Sequence, residues 1–403
     1  MATRELLIVR RPGAGEGAFA LVDGSLPEVK AEFGVQDSIT PLCREAQRVC
    51  GLTGNVGGAT LTARLRDGDR NLSVFDCEDA PGLRDWRPLG DLSEHADPAL
   101  ARGLCAGGGA PWYRLDFHAR LLDFALAGLA DRGIALSGAP EQVRVWPLSC
   151  IYRLPCEGGD HWLKATRPGA FVPEGAVMSA LAGAFPDLVP APLAFRDDCA
   201  LFADFGERLA KDAPVAVAQE MLSRFARMQT EADALLDTPG LQSWRLADLP
   251  DALPESRALL GPEPDALLEK AREDVSALAE FGIGDHLVHG DVYWGNAAHG
   301  PGTLWIFDWS DAGVGHPFFD PMEAWLGSEP RHRQLRRAYL DVWRERVEAD
   351  VDAAWAIASR LAPGHHLARN TRLLSCFESW ERPTLESDRG FWAGRFRAAY
   401  ADG

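Results

Sequence analysis

The stretch from His286 to Asp311 constrains this chain more than any other part of it. It reads H-L-V-H-G-D-V-Y-W-G-N-A-A-H-G-P-G-T-L-W-I-F-D-W-S-D. Asp291 and Asn296 lie five apart in a loop, and Asp308 ends the next apolar strand. A carboxylate, an amide and a second carboxylate at these intervals suit phosphoryl transfer from ATP. Asp291 would receive or orient the proton of the nucleophile, while Asn296 and Asp308 would hold Mg²⁺. Only four asparagines occur in the chain, so the coincidence of all three groups carries weight.

A chain of 403 residues has room for two or three modules and a sizeable core. The net charge of −18 argues against nucleic acid or an anionic membrane as partner and suits a cationic substrate. An acidic proteome gives the same balance. The basic run Arg331–Arg337 continues into mixed charges at helical spacing and reads as a solvated helix face. The eight cysteines include no C-x-x-C pair, which points to neither a disulfide framework nor a zinc site. The first residues hold too short an apolar run for a signal peptide, and no segment is long enough to span a membrane, so a reducing cytoplasm is expected.

Along the chain, 5–102 alternates short apolar runs with turns, with strands at Leu6–Val9, Ala18–Val22, Ala59–Leu65 and Leu72–Phe75. A helix is expected from about Ser38 to Val49. Cys105–Pro111 is the clearest break, because its glycines support neither helix nor strand. A helix follows from Asp116 to Asp131, with Gly133 as its stop. Strands are expected at Gln142–Trp146, Cys150–Leu154, His161–Thr166, Leu193–Phe195 and Ala200–Ala203, with a helix opening at Pro173-Glu174. Beyond Gly206 the chain reads as mostly helical, at 213–235, 264–281, 332–350, 351–361 and 366–379. Four segments result: a small α/β domain at 1–104, a linker with its helix at 105–139, a sheet-rich lobe at 140–205 and a helical lobe at 206–403.

Lys164 is one of four lysines and sits inside a short apolar strand, where a merely decorative cation is out of place. ATP-dependent transfer needs a lysine that meets the nucleotide phosphates and a glutamate that holds it; Glu174 is the candidate. Glutamate in a first helical turn is also favoured by the helix dipole alone. Between the first two lobe strands there is no G-x-G-x-x-G. Backbone N–H groups and the Ser149 hydroxyl could hold phosphate there, or the segment is a plain hairpin turn. Asp204-Phe205-Gly206 spells a metal-binding tripeptide, but it precedes the catalytic loop, and the metal aspartate must follow it. Ala203–Phe205 is therefore read as the hinge whose backbone meets adenine.

With these residues in view, the chain resembles the aminoglycoside phosphotransferase and choline kinase group of small-molecule kinases. The resemblance rests on Leu163-Lys164, Glu174, His289-Gly290-Asp291, Asn296, Ile306–Trp309, Ala312–Pro317 and Asp320-Pro321. It implies an α+β, two-lobed protein-kinase-like fold with a small antiparallel-sheet lobe and a mostly helical one. It implies ATP and Mg²⁺ as cofactors and a small-molecule hydroxyl, of an amino-sugar or other antibiotic, choline or a sugar, as acceptor. Asp291, Asn296 and Asp308 would be catalytic, His289 would buttress the loop, and Asp320 would hold the loop backbone. Asp311 is a further metal contact or, as favoured here, a helix cap. Where relatives often carry histidine, two residues after the catalytic aspartate, this chain has Tyr293, which supplies no positive charge.

More faintly, the N-terminal segment resembles a Nudix hydrolase domain, through Arg44–Leu52 and Asp85–Leu92. Arg48 and Val49 stand where the metal-binding glutamates would be, so nucleotide hydrolysis is not expected; an unrelated α/β module is the alternative. Trp325, Trp343, Trp355, Trp380 and Trp392 either line the acceptor pocket or sit in the core. A non-catalytic pseudokinase module is the alternative to the kinase. A metal-dependent hydrolase is disfavoured, because the histidines are few and badly spaced for a metal cage.

Overall fold

The structure is a computed structural model that describes all residues except 1–2, 12–16, 32–38, 53–58, 78–79, 81–82, 301–302, 322–328 and 402–403. The chain forms two compact units. One comprises Met1–Pro168, Leu193–Asp204 and Cys376–Glu386; the other comprises Gly169–Pro192, Phe205–Ser375 and Ser387–Gly403. Strands dominate the first and helices the second, an α+β organisation.

The first unit opens with β1 (Thr3–Arg11), β2 (Ala18–Leu21), β3 (Glu28–Ala31), β4 (Ala59–Asp67), β5 (Arg70–Cys77) and β6 (Asp85–Pro88). The uninterrupted apolar run Leu6–Val9 is buried on both faces, as a central strand with a parallel neighbour requires. Its parallel partner is β5, with Leu6 opposite Leu72 and Val9 opposite Phe75. The sheet runs β4-β5-β1-β2-β6, with β3 also on β1. Helix α1 (Thr40–Cys50) buries Leu42, Ala46 and Cys50 along one stripe. Helix α2 (Pro98–Cys105) was not expected from the sequence. Its start is fixed by the Asp97 carboxylate, which accepts the N–H groups of Ala99 (2.9 Å) and Leu100 (3.0 Å).

After α3 (Leu115–Ala130) come β7 (Glu141–Val145), β8 (Ser149–Cys156), β9 (Gly159–Thr166), β10 (Ala194–Arg196) and β11 (Cys199–Ala203). They form an antiparallel sheet in the order β10-β11-β9-β8-β7. One apolar core runs through both sheets, from Leu6 to Leu201. The buried Gln142 side chain stitches them, accepting the Leu61 N–H at 3.0 Å and donating to the Leu61 carbonyl at 2.9 Å. Residues 1–104 therefore share a core with the second sheet, and their division into modules is a proposal about function. Trp380, from the late segment Cys376–Glu386, joins this core beside Tyr113, with ring centroids 6.0 Å apart. Next to it the buried Glu381 carboxylate takes a two-pronged bond from Arg167, at 2.8 and 3.0 Å.

The second unit holds α4 (Glu174–Ala184), α5 (Val215–Glu231), α6 (Leu249–Ala252), α7 (Pro264–Ala279), α8 (Glu329–Arg344), α9 (Val351–Ser375) and α10 (Glu386–Ala399). Pro173 stands just before α4 and Glu174 is its first residue. The expected break between 361 and 366 does not occur: α9 runs straight through Pro363. A proline inside a helix costs about 3 kcal/mol, but Leu361 and Leu367 on either side are fully buried. Each such leucine is worth about 1.5–3 kcal/mol, enough to hold the helix together across the lost N–H. Among the described residues, no helix is long and apolar enough to cross a membrane.

Six short strands complete this unit: β12 (Glu207–Arg208), β13 (Gln242–Trp244), β14 (His286–Val288), β15 (Ala297–Gly300), β16 (Thr303–Ile306) and β17 (Gly313–Gly315). They form two small sheets, β12-β15-β16 and β13-β17-β14. The stretch His286–Asp311 begins with β14 and ends just before β17.

Candidate active site

β14 ends at Val288 and delivers the chain into His289-Gly290-Asp291. Gly290 has φ 85°, and a β-carbon there would come within 2.6 Å of the Asp311 carbonyl oxygen and 2.8 Å of its Cβ. Only glycine meets both conditions. Asp320 sets the loop backbone: its carboxylate accepts the N–H groups of His289 and Gly290, both at 2.7 Å. Burial pushes Asp320 up to about 7 against the pull of these two bonds.

The ring of His289 is fully buried, and burial lowers it to about 4, so it is neutral. Its Nδ1 accepts the Asp291 N–H (3.2 Å), which leaves the proton on Nε2 to donate to the Phe307 carbonyl (3.0 Å). One imidazole thus ties the loop to the segment that carries Asp308.

Asn296 closes the loop from the other side. Its Nδ2 donates to the Asp291 carbonyl (2.9 Å) and to Asp291 Oδ2 (3.1 Å). In the β15–β16 hairpin Ala297 pairs with Ile306, and the Phe307 N–H donates to the Asn296 carbonyl at 3.0 Å. Asp308 follows directly, so Asn296 and Asp308 stand together at the open end of the hairpin. Asp308 is held at φ 65°, ψ 56°, and accepts the Ser310 hydroxyl at 2.8 Å. A left-handed aspartate costs of order 1–3 kcal/mol and persists where its surroundings over-determine it, as at many functional sites. Burial, then the nearby Asp311 and Asp308, raise Asp291 well above the usual carboxylate range.

Asp311 does not cap a helix. It closes the short turn Trp309–Asp311 rather than opening it, and pairs with Arg369 at 2.7 Å. Tyr293 folds back inside the loop: a β-carbon on Gly295 would lie 2.6 Å from its ring. The neighbouring Trp294 is 5.5 Å from the Arg331 guanidinium, a cation over the loop that the sequence analysis did not anticipate.

Three further residues that sequence reasoning missed support the loop. Gln229 on α5 donates to the Leu287 carbonyl (3.1 Å) and reaches Asp320 Oδ2 (3.4 Å). Tyr339 on α8 hydrogen-bonds through its hydroxyl with Gln229 Oε1 at 2.6 Å and the Pro317 carbonyl at 3.0 Å. Arg369 on α9 donates to the Gly290 carbonyl. Their one sequence signal is a glutamine and an arginine on apolar helix stripes, which by itself does not separate a satisfied core polar group from a site residue.

No protein-family profile and no curated protein matches the chain. Solved structures do, and among them are aminoglycoside phosphotransferases and choline/ethanolamine kinases. The macrolide 2'-phosphotransferase MphH from Brachybacterium faecium is 19% identical, at a TM-score of 0.47 over 68% of this chain and 97% of that one. Choline kinase LicA from Streptococcus pneumoniae is 11% identical, at 0.49 over 70% and 100%. A thermostable mutant of aminoglycoside phosphotransferase APH(4)-Ia, in a complex with AMP-PNP and hygromycin B, is 15% identical, at 0.49 over 70% and 98%. At such identities the activity of this chain has to be argued from its own site residues.

The remaining candidates lie as follows. Lys164 is half-buried in the middle of β9, opposite Ile151 of β8 and Ala200 of β11. Glu174 is 5% exposed at the start of α4, in the second unit. Ser149 opens β8, and its hydroxyl oxygen accepts the Trp146 indole N–H at 2.8 Å across the hairpin turn. Ala203 ends β11. The chain leaves the first unit at Asp204 and enters the second at Phe205, whose ring lies 4.9 Å from that of Phe307. Trp343 and Trp355 are buried core residues, Trp392 stacks on His366 at 4.7 Å, and Trp380 belongs to the first unit. Trp325 lies outside the described residues.

Gly290→Ala is expected to keep the fold but lower any activity of the loop by about tenfold or more, with a measurable fall in melting temperature. Steady-state kinetics beside a thermal melt separates the two effects.

Proposed function

We propose that this chain is an ATP- and Mg²⁺-dependent phosphotransferase that moves the γ-phosphoryl group to a hydroxyl of a small molecule. One observation carries the reading: Asp291, Asn296 and a left-handed Asp308 converge on one loop and one hairpin end. In this reading Asp291 aligns the acceptor hydroxyl and takes its proton. With Asn296 Nδ2 committed to Asp291, its amide oxygen and the Asp308 carboxylate are the donors for the cation. These are hard oxygen ligands, and Mg²⁺ takes one or two from the protein and the rest from phosphates and water. The donor set fits. Among the described residues there is no group of three His, Cys, Asp or Glu for an all-protein cage. The metal, when bound, would neutralise charge on the phosphate oxygens.

Lys164 would meet the nucleotide phosphates, with the Ser149 hydroxyl as an additional donor. The backbone of Ala203 and Phe205 would receive adenine. His289 and Asp320 contribute by fixing the loop. An amine-bearing sugar or antibiotic fits the acidic balance of the chain, and the cytoplasm, where ATP is abundant, fits the activity. Residues 1–104 are proposed as a Nudix-like module without hydrolytic activity, since Arg48 and Val49 bring no carboxylate to the position of the metal ligands.

The test is acceptor-dependent ADP release from purified protein across amino-sugars, macrolides, aminoalcohols and simple sugars. ATP-stimulated turnover on any of these supports the reading. Inertness across the panel, with ATP binding that ignores Mg²⁺, would favour the pseudokinase instead.

A further inference from the structure

Arg369 occupies an unusual position behind the loop. It is 8% exposed, and its guanidinium meets three polar groups and one aromatic ring. Nη1 donates to the Gly290 carbonyl and lies 3.3 Å from His366 Nδ1. Nη2 pairs with Asp311 Oδ1 at 2.7 Å. The plane sits 5.3 Å from the Trp244 ring on β13. His366 bonds the Phe319 carbonyl through Nε2 at 3.1 Å. Its proton is therefore on Nε2, and Nδ1 is an acceptor for Arg369.

Two of these contacts bear on chemistry. The Gly290 carbonyl belongs to the peptide that leads into Asp291. Rotation of that peptide would swing the Asp291 carboxylate, and Arg369 pins its oxygen. Asp311 is a third carboxylate close to Asp291 and Asp308. Left alone, it would compete for a cation. Arg369 pairs with it through one arm of a planar fork whose other arm holds the Gly290 carbonyl, a combination that lysine cannot reproduce.

We propose that Arg369 is a positioning residue of the phosphoryl-transfer site: by gripping the Gly290 carbonyl and the Asp311 carboxylate together, it aims Asp291 and keeps Asp311 out of the metal site. The inference rests on the phosphotransferase reading above. It assigns to α9 a task that no local motif announces.

The test is a double-mutant cycle between Arg369→Gln and Asp311→Asn, read as kcat and KM on whichever acceptor supports turnover. Arg369→Gln should lower kcat about 100-fold while leaving both KM values within about threefold, because it misaims the catalytic group without touching substrate. Its half-saturating Mg²⁺ concentration should shift. Adding Asp311→Asn should recover about tenfold in kcat and return the Mg²⁺ dependence towards wild type. Arg369→Lys keeps the charge but loses the fork, so it should fold and fall between wild type and Arg369→Gln. Arg372→Gln is the control: Arg372 is exposed and lies 4.9 Å from the same Trp244 ring. Effects that simply multiply, a loss confined to KM, or a fully active Arg369→Lys would overturn the proposal. A wild-type protein inert on every acceptor would instead bring down the phosphotransferase reading, and this inference with it.

Discussion

Asp291→Asn should abolish acceptor-dependent phosphoryl transfer, with kcat down by a factor on the order of 10³, while the protein stays folded. The size follows from the 10²–10⁴ that a positioned general base contributes. The substitution keeps the shape of the side chain, so Asn296 can still donate to its carbonyl oxygen and backbone. His289 and Asp320 bind the loop through main-chain N–H groups, which the substitution does not touch. Stability should move the other way. Asp291 is crowded by Asp311 and Asp308 in a partly buried site, and burial and repulsion both disfavour its charge. Removing that charge should raise the melting temperature. A more stable, inactive protein is the pattern expected where a fold tolerates strain for the sake of a site. ADP release and a thermal melt on the same preparation give both readings. Full activity in folded Asp291→Asn would sink the assignment of the base.

What could be read from the sequence was what is local. Asp291, Asn296 and Asp308 fall within eighteen residues, and the hydrogen bonds that join them span one loop and one hairpin. Strands β8 and β9 were legible through their apolar periods and the glycines between them. Arg369 and Gln229 were not. They reach the loop from helices lying 79 and 58 residues away in sequence, and an arginine or glutamine on an apolar stripe has no pattern of its own. Pro363 misled in the opposite direction, since the local penalty is real but smaller than the burial on both sides of it. The parallel pairing of β1 with β5 was equally hidden. Sixty-six residues separate Glu5 from its partner Asn71, and nothing in either strand names the other. Asp311 was assigned a cap on local grounds, and a residue 58 positions later took its carboxylate instead.

The largest effect on stability should come from Arg64→Met in the N-terminal sheet. Glu5 on β1 and Arg64 on β4 are both 0% exposed. Arg64 meets the carboxylate with two prongs, at 2.8 and 2.9 Å. The Ser73 hydroxyl donates to the same oxygen as the first prong, and Asn71 Nδ2 reaches the other at 3.3 Å. Arg64 pairs with Ser73 across β4–β5, and Leu7 pairs with Ser73 across β1–β5, so the sheet register itself gathers these side chains. Methionine fills much of the arginine stem but leaves the Glu5 charge buried with, among the described residues, the two neutral donors Ser73 and Asn71. Breaking a buried pair from one side costs about 3–5 kcal/mol. Replacing both charges, as Glu5→Leu with Arg64→Met, removes the stranded carboxylate and should restore most of that loss, since apolar substitutes for a whole buried pair are often neutral or better. Urea unfolding at neutral pH, followed by circular dichroism, measures the cycle. The single variant should shift the midpoint far more than the double, at unchanged m. If Arg64→Met cost less than about 1 kcal/mol, or if the double variant were the worse of the two, the pair would be an ornament of the sheet rather than a charge that the fold must neutralise.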